Sequence, residues 1–174
     1  MEFVTLEIEG VLGIIAEFKA DSRGSLIRVW DSNSILGSFD LNQSSIVTNP
    51  TTGTLRGLHY QAEPFSENKV IECVSGKVFD VIVDLREESP TYGAHLEVVL
   101  GPSEVYSGLF VPAGCAHGYL TLEPFSTLIY FMDKEYSSLH ARGLIWDDPK
   151  LSIGWPNRPV LISERDTNWT PLDS

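Results

Sequence analysis

Lys77-Val78-Phe79-Asp80-Val81-Ile82-Val83-Asp84-Leu85-Arg86 alternates with a period of two. In an extended chain Phe79, Val81, Val83 and Leu85 fall on one face, and Val78, Asp80, Ile82, Asp84 and Arg86 on the other, which is the pattern of a strand and not of a helix. The first face is wholly apolar and has to be covered. The second is half polar: on a flat sheet it would face water, whereas in a small barrel it would line a ligand cavity, and the pattern is compatible with both. The preceding Ser75-Gly76-Lys77 reads as a tight hairpin with Gly76 supplying a positive φ.

Working outward, apolar segments recur between turn clusters at roughly ten-residue spacing, the rhythm of a sandwich or barrel. The further strands predicted are 24–30, 43–47, 54–61, 69–75, 95–100, 104–111, 117–121 and 126–132. Helical periodicity is poor. Residues 133–174 carry Pro, Asp and Trp clusters and read as an extension with short helical turns. No repeat or long polar linker divides the chain, so 1–174 is expected to be a single all-β domain.

Composition narrows the function. With 174 residues, 43% hydrophobic and 21% charged, and with 14 Gly and 10 Pro, this is the makeup of one turn-rich globular domain. A formal net charge of -12 disfavours nucleic acid and anionic membranes, since both are held by cations neutralising phosphates. A small phosphorylated ligand stays compatible, because a few placed guanidiniums override the global sign locally; Arg23, Arg56 and Arg165 are candidates. Cys73 and Cys115 have no partner spacing, which implies neither a disulfide framework nor a metal site and fits a reducing cytoplasm. The N-terminus lacks a basic stretch followed by an apolar core, and no apolar run is long enough to span a bilayer.

The histidines are His59, His95, His117 and His140. A barrel metal site wants His-x-His and a carboxylate on one strand face, but the residue two after His59 is Gln61, a poor ligand. His117 closes Pro112-Ala113-Gly114-Cys115-Ala116-His117, a turn common before the last ligand of such sites. One histidine and an amide hold no metal, so the histidines are expected to serve proton transfer without metal or cofactor.

His59 lies in Gly53-Thr54-Leu55-Arg56-Gly57-Leu58-His59-Tyr60-Gln61. Taken alone, it reads as a satisfied histidine on an edge strand. Gly57 argues for more, because glycine inside a strand marks a bulge or a close backbone approach. Strict alternation would put Arg56 and His59 on opposite faces, so both reach one pocket only if the strand bulges or Arg56 serves another subunit. Lys69 is positioned to stabilise an enolate oxygen if it faces a cavity, and is otherwise a strand-end lysine. Tyr130 needs a hydrogen-bond partner if buried. Asp166 is a surface charge unless the tail folds back to orient His59.

Together these segments resemble the dTDP-4-dehydrorhamnose 3,5-epimerases, a branch of the cupins, over nearly the whole chain. The resemblance runs through Asp21-Ser22-Arg23-Gly24, the His59 segment, residues 76–86 with Ser89-Pro90-Thr91-Tyr92-Gly93, the His117 segment, Arg142-Gly143 and Trp146-Asp147-Asp148-Pro149. It implies a cupin-type jelly roll and a metal-independent homodimer that takes a nucleotide-diphospho-sugar and inverts C-3 and C-5 of a 4-keto-6-deoxyhexose. It also implies roles: His59 the proton acceptor, Asp166 its orienting carboxylate, Tyr130 the donor on the opposite face, and Lys69 near the keto oxygen. Arg23, Gln43, Arg56, His117 and Arg165 would contact the ligand, and Tyr136 would stack on the base. Three positions depart from the family pattern. Arg28 and Ala141 stand where members carry Glu, and Ser45 stands in a Gln-x-Asn segment. All three are on the nucleotide side, so the proton chemistry is implied while base and sugar stay open. The alternatives are a relative acting at C-3 only, a ketoisomerase, and a non-catalytic sugar-nucleotide-binding cupin.

Overall fold

In a computed structural model, which describes residues 1–31, 33, 34, 37 and 39–172, the chain forms fourteen strands and no α-helix among the described residues. They are β1 (Glu2–Thr5), β2 (Leu12–Ile15), β3 (Glu17–Asp21), β4 (Gly24–Arg28), β5 (Gln43–Asn49), β6 (Thr54–Gln61), β7 (Lys69–Ser75), β8 (Val78–Asp84), β9 (His95–Leu100), β10 (Gly108–Val111), β11 (Cys115–Thr121), β12 (Ser126–Met132), β13 (Ala141–Gly143) and β14 (Leu161–Ile162). One sheet has the order β1-β2-β10-β7-β12-β5, and the facing sheet β13-β6-β11-β8-β9 with β14 running parallel to β6. A separate β3–β4 hairpin pairs with neither.

Both faces of β8 are now accounted for. Val78 and Ile82 enter the core between the sheets with Ile71 and Cys73 of β7, Leu109 and Val111 of β10, and Leu128 of β12. Val81 and Val83 lie on the outer face, where Leu144, Leu151, Ile153 and Trp155 of the tail cover them. The half-polar face is therefore the barrel interior. Of its charges, Asp84 is fully buried, and its carboxylate accepts from Arg86 Nε (2.8 Å), Ser89 Oγ (2.6 Å) and Thr91 Oγ1 (2.6 Å). Burial works against that carboxylate, but these donors outweigh it and hold its pKa far below the ordinary value. Ser89-Pro90-Thr91 is thus a clamp on the barrel rather than part of a site.

Three expectations are corrected. Gly76 does take a positive φ of 71°, but Ser75-Gly76-Lys77 is not a hairpin. The strands on either side belong to different sheets, β7 beside β10 and β12, β8 beside β9 and β11. The turn is a jelly-roll corner, which local turn chemistry does not distinguish from a hairpin. The tail contains turns and the short strands β13 and β14 instead of helical turns, because its apolar residues cover a flat sheet face and no helical stripe is needed. Finally, β1, β2 and β3 precede the first strand expected.

One buried group opposes the fold. Glu72 of β7 stands in a row with Ile14, Gly108 and Ile129, fully buried, and among the described residues neither carboxylate oxygen has a hydrogen-bond partner. Burial pushes its pKa from 4.5 up to about 7, and Ser107, whose hydroxyl donates to the Ile14 carbonyl at 3.1 Å, offsets little of this. The folded state holds the proton that the unfolded chain releases above pH 4.5, so stability falls as pH rises from 4.5 to about 7 and then levels off. The shift corresponds to roughly 3 kcal/mol. Glu72→Gln is expected to raise the thermal midpoint by several degrees at pH 8 and to change it little at pH 5. Equal midpoints for the two proteins at pH 8 would refute the assignment.

Candidate active site

The site begins with an irregularity in β6. His59 pairs with His117 and Arg56 with Tyr119, so Gly57 and Leu58 together oppose the single residue Gly118. Gly57 has φ 128°, and a Cβ on it would lie 2.5 Å from Gly118 Cα. The bulge breaks the alternation, and Arg56 and His59 line one pocket with Thr54, Ile162, Arg165 and Asp166. Of the two ways out of the Arg56–His59 conflict, the structure takes the bulge. Nor is β6 an edge strand, since β13 and β14 lie on one side of it and β11 on the other.

Asp166 does come back to His59. β14 docks on the start of β6, and the chain then turns so that the Asp166 amide donates to the Ser163 carbonyl at 3.0 Å. Its carboxylate meets His59 Nε2 at 2.6 Å and accepts from Trp169 Nε1 at 3.3 Å and the Gly57 amide at 3.4 Å. Burial alone would raise this carboxyl, but His59 and these donors outweigh it and bring the pKa below the ordinary value. The side chain of His59 is 43% exposed and that of Asp166 5%. A reachable imidazole is thus braced by an anion that solvent does not reach, the geometry of a base and its orienting group.

The interior wall comes from the opposite sheet. Pairing across β6 and β11 sets His59 beside His117, and the His117 ring meets the Tyr130 ring of β12 edge-on, with centroids 5.9 Å apart. Tyr130 therefore faces the barrel interior. Burial, with the nearby Tyr119 and Asp80, raises its phenol pKa well above the ordinary value, so it keeps its proton at neutral pH. His117 is buried with Nε2 2.9 Å from Asp80 Oδ2. A polar chain runs from Arg56 Nε to Asn49 Oδ1 (2.9 Å), and from Asn49 Nδ2 to the Tyr119 hydroxyl (3.2 Å). Lys69 Nζ lies 2.8 Å from Glu67 Oε1, both side chains more than nine-tenths buried.

A second pocket adjoins the first through His59 and Arg165 and is also lined by Gln61, Glu67, Tyr136 and Arg142. Arg165 lies over the Trp169 ring at 5.0 Å and donates to the Tyr136 hydroxyl at 3.3 Å, while the Tyr136 amide donates to Gln43 Oε1 at 3.0 Å. Two cations and an exposed phenol ring beside the base suit an anionic, ring-bearing ligand. Arg23 is not brought here: it sits on the β3–β4 hairpin, exposed and paired to Asp21 at 2.6 Å. Among the described residues no group of three or more His, Cys, Asp or Glu is arranged to hold a metal ion.

Asn49, Glu67, Asp80, Tyr119 and Trp169 join the site without having been singled out from sequence. Only Asp80 left a signal, as a charge on the inward face of β8. The rest depend on contacts that no local pattern records.

The model of the family described as dTDP-4-dehydrorhamnose 3,5-epimerase matches residues 5–174. A protein of that name from Sinorhizobium fredii (strain NBRC 101917 / NGR234) is 45% identical over 121 residues, 69% of this chain and 62% of its own length, so the match spans under two thirds of that relative. The one from Methanothermobacter thermautotrophicus is 34% identical over 98% of this chain and 94% of its own. A crystal structure of the Bacillus anthracis enzyme with TDP and PPi bound superposes with a TM-score of 0.91 at 30% identity, covering 98% of this chain and 99% of that one. Motifs, fold and proton-transfer geometry converge, and the chain belongs to the dTDP-4-dehydrorhamnose 3,5-epimerase family.

Proposed function

We propose that this protein inverts C-3 and C-5 of a nucleotide-linked 4-keto-6-deoxyhexose, of the dTDP-4-dehydro-6-deoxyglucose type, within deoxysugar biosynthesis. The observation that carries this reading is the His59–Asp166 pair at 2.6 Å, with His59 on one sheet beside His117 and the protonated Tyr130 meeting His117 from the other. The C-4 ketone acidifies the hydrogens on both neighbouring carbons. His59 takes one, and Asp166 stabilises the imidazolium that results. The electron pair moves onto the carbonyl oxygen as an enolate, near which Lys69 supplies positive charge. Tyr130 then returns a proton from the opposite face, which inverts the centre. Arg56 and Arg165 are assigned to the diphosphate, and Tyr136 to the base.

The protein is further proposed to work as a cytoplasmic homodimer. The β3–β4 hairpin, which pairs with no other strand, carries Arg23 and the 58% exposed Leu26 away from the chain's own pocket, an arrangement that suits service to a second copy. Two free, buried cysteines fit a reducing compartment.

The test is incubation with dTDP-4-keto-6-deoxyglucose in heavy water, followed by NMR. Deuterium at both C-3 and C-5, with inversion, is the expected result. Label at C-3 alone would reassign the protein as a single-centre epimerase. Binding with no label at either carbon would make it a sugar-nucleotide-binding module.

A further inference from the structure

Lys69 is the first residue of β7, opposite Val111 of β10 and Met132 of β12, so its aliphatic stem lies among apolar neighbours inside the barrel. An ammonium there without an anion would be an uncompensated buried charge, which a marginally stable fold tolerates poorly. Glu67 supplies the anion at 2.8 Å, and both side chains are more than nine-tenths buried. Among the described residues Glu67 is the only group recorded in contact with that ammonium, so its other two N–H bonds are not committed.

Glu67 is itself held in place. The next residue, Asn68, donates from its amide to Asp133 Oδ1 (2.9 Å) and from Nδ2 to Asp133 Oδ2 (2.6 Å). Its side-chain oxygen accepts from the Ala113 amide at 2.9 Å. Asn68 thereby fastens the loop before β7 to the end of β12 and to the loop between β10 and β11. A carboxylate on a loop tied at three points is preorganised rather than recruited. Glu67 also lines the pocket that holds His59, Tyr136 and Arg165. Among the described residues its second oxygen, Oε2, is buried and has no hydrogen-bond partner, and the pair with Lys69 is what compensates the carboxylate.

We propose that Glu67 is a positioning residue of the epimerase reaction: it holds the Lys69 ammonium aimed, leaving two N–H donors for the enolate oxygen. This rests on the epimerase reading above and deepens it. Glu67 touches neither the sugar nor the proton in flight. Its contribution is realised only when negative charge develops on the carbonyl oxygen, so it belongs to kcat and not to substrate affinity.

The test compares Glu67→Gln, Lys69→Gln and the double variant, reading kcat and KM for deuterium incorporation. Removing a developing-charge donor costs about 10²–10³-fold in kcat, which is the expectation for Lys69→Gln. Glu67→Gln, nearly isosteric, is expected to lower kcat by about tenfold or more with KM within about threefold. The double variant is expected to be no slower than Lys69→Gln, because the second change has nothing left to act through. It also removes both buried charges together, so its fold carries no unpaired buried charge and controls for destabilisation in the single variants. A Glu67→Gln protein with unchanged kcat, or losses that multiply in the double variant, would overturn the proposal. These results are distinct from failure of the underlying reading, in which the unmodified protein itself incorporates no deuterium.

Discussion

His59→Asn is expected to abolish both deuterium exchange and inversion at C-3 and C-5, lowering turnover by about 10²–10⁴-fold, the range for loss of a positioned general base. Asp166 keeps the donations from Trp169 Nε1 and the Gly57 amide, so the buried carboxylate is not left bare and the fold should survive. Tyr130→Phe should behave differently. It keeps the ring that meets His117 at 5.9 Å and removes only the hydroxyl. His59 can still remove a proton and return a deuteron to the same face. Exchange is therefore expected to continue while inversion is lost. Following label and configuration separately by NMR distinguishes the two roles. Exchange that survives in His59→Asn would remove it as the base, and inversion that survives in Tyr130→Phe would assign the opposite-face proton elsewhere.

The assignment of roles to two walls depends on the topology. β6 and β12 belong to different sheets, so in the proposed mechanism a planar enolate between them would meet the imidazole on one side and the phenol on the other. The surroundings of the two groups also differ. Asp166, anionic and below its ordinary pKa, favours a proton arriving on His59, whereas Tyr130 is raised by burial and holds its proton until a stronger base than phenolate appears. The enolate carbon is such a base. Because neither group is tied to a particular ring carbon, repositioning of the sugar would bring the second centre between the same two walls.

How much of this could be read from sequence depends on the range of the contact concerned. The strand content of β6 to β12 was legible because these strands are short apolar segments bounded by turn clusters. β2, Leu12–Ile15, was not, since four residues with three aliphatics and a glycine give no period to detect. The nature of the half-polar face of β8 was undecidable locally: Asp80 is inward because β11 supplies His117 across the sheet and the tail covers the other face. The β6 bulge was visible as a contradiction, two useful side chains on opposite faces with a glycine between them. The contact of Asp166 with His59, which spans |i−j| = 107, had no local signature and came only from resemblance. Glu67 was passed over because its neighbour Lys69 read as the interesting residue, and pairing at i, i+2 in a loop has no pattern of its own.

Gly57→Ala is expected to be among the most damaging single substitutions in the chain. At φ 128° an L side chain is strained wherever it points. Here a Cβ would also lie 2.5 Å from Gly118 Cα and 2.9 Å from the His117 carbonyl oxygen. Both obstacles are backbone of the paired strand β11, so no side chain can swing aside. Relief requires β6 to move away from β11 or the bulge to flatten, and flattening returns Arg56 and His59 to opposite faces. Strain and crowding of this kind cost about 3 kcal/mol or more, a large share of the total for an ordinary domain, and at this chain length imply a melting midpoint lower by on the order of 10 °C. Activity should fall further than stability explains, because any folded fraction has lost the shared pocket. Calorimetry together with the deuterium assay at a temperature well below the new midpoint separates the two effects. A Gly57→Ala protein that melts with the unmodified one and turns over at the same rate would show that the bulge does not assemble the site.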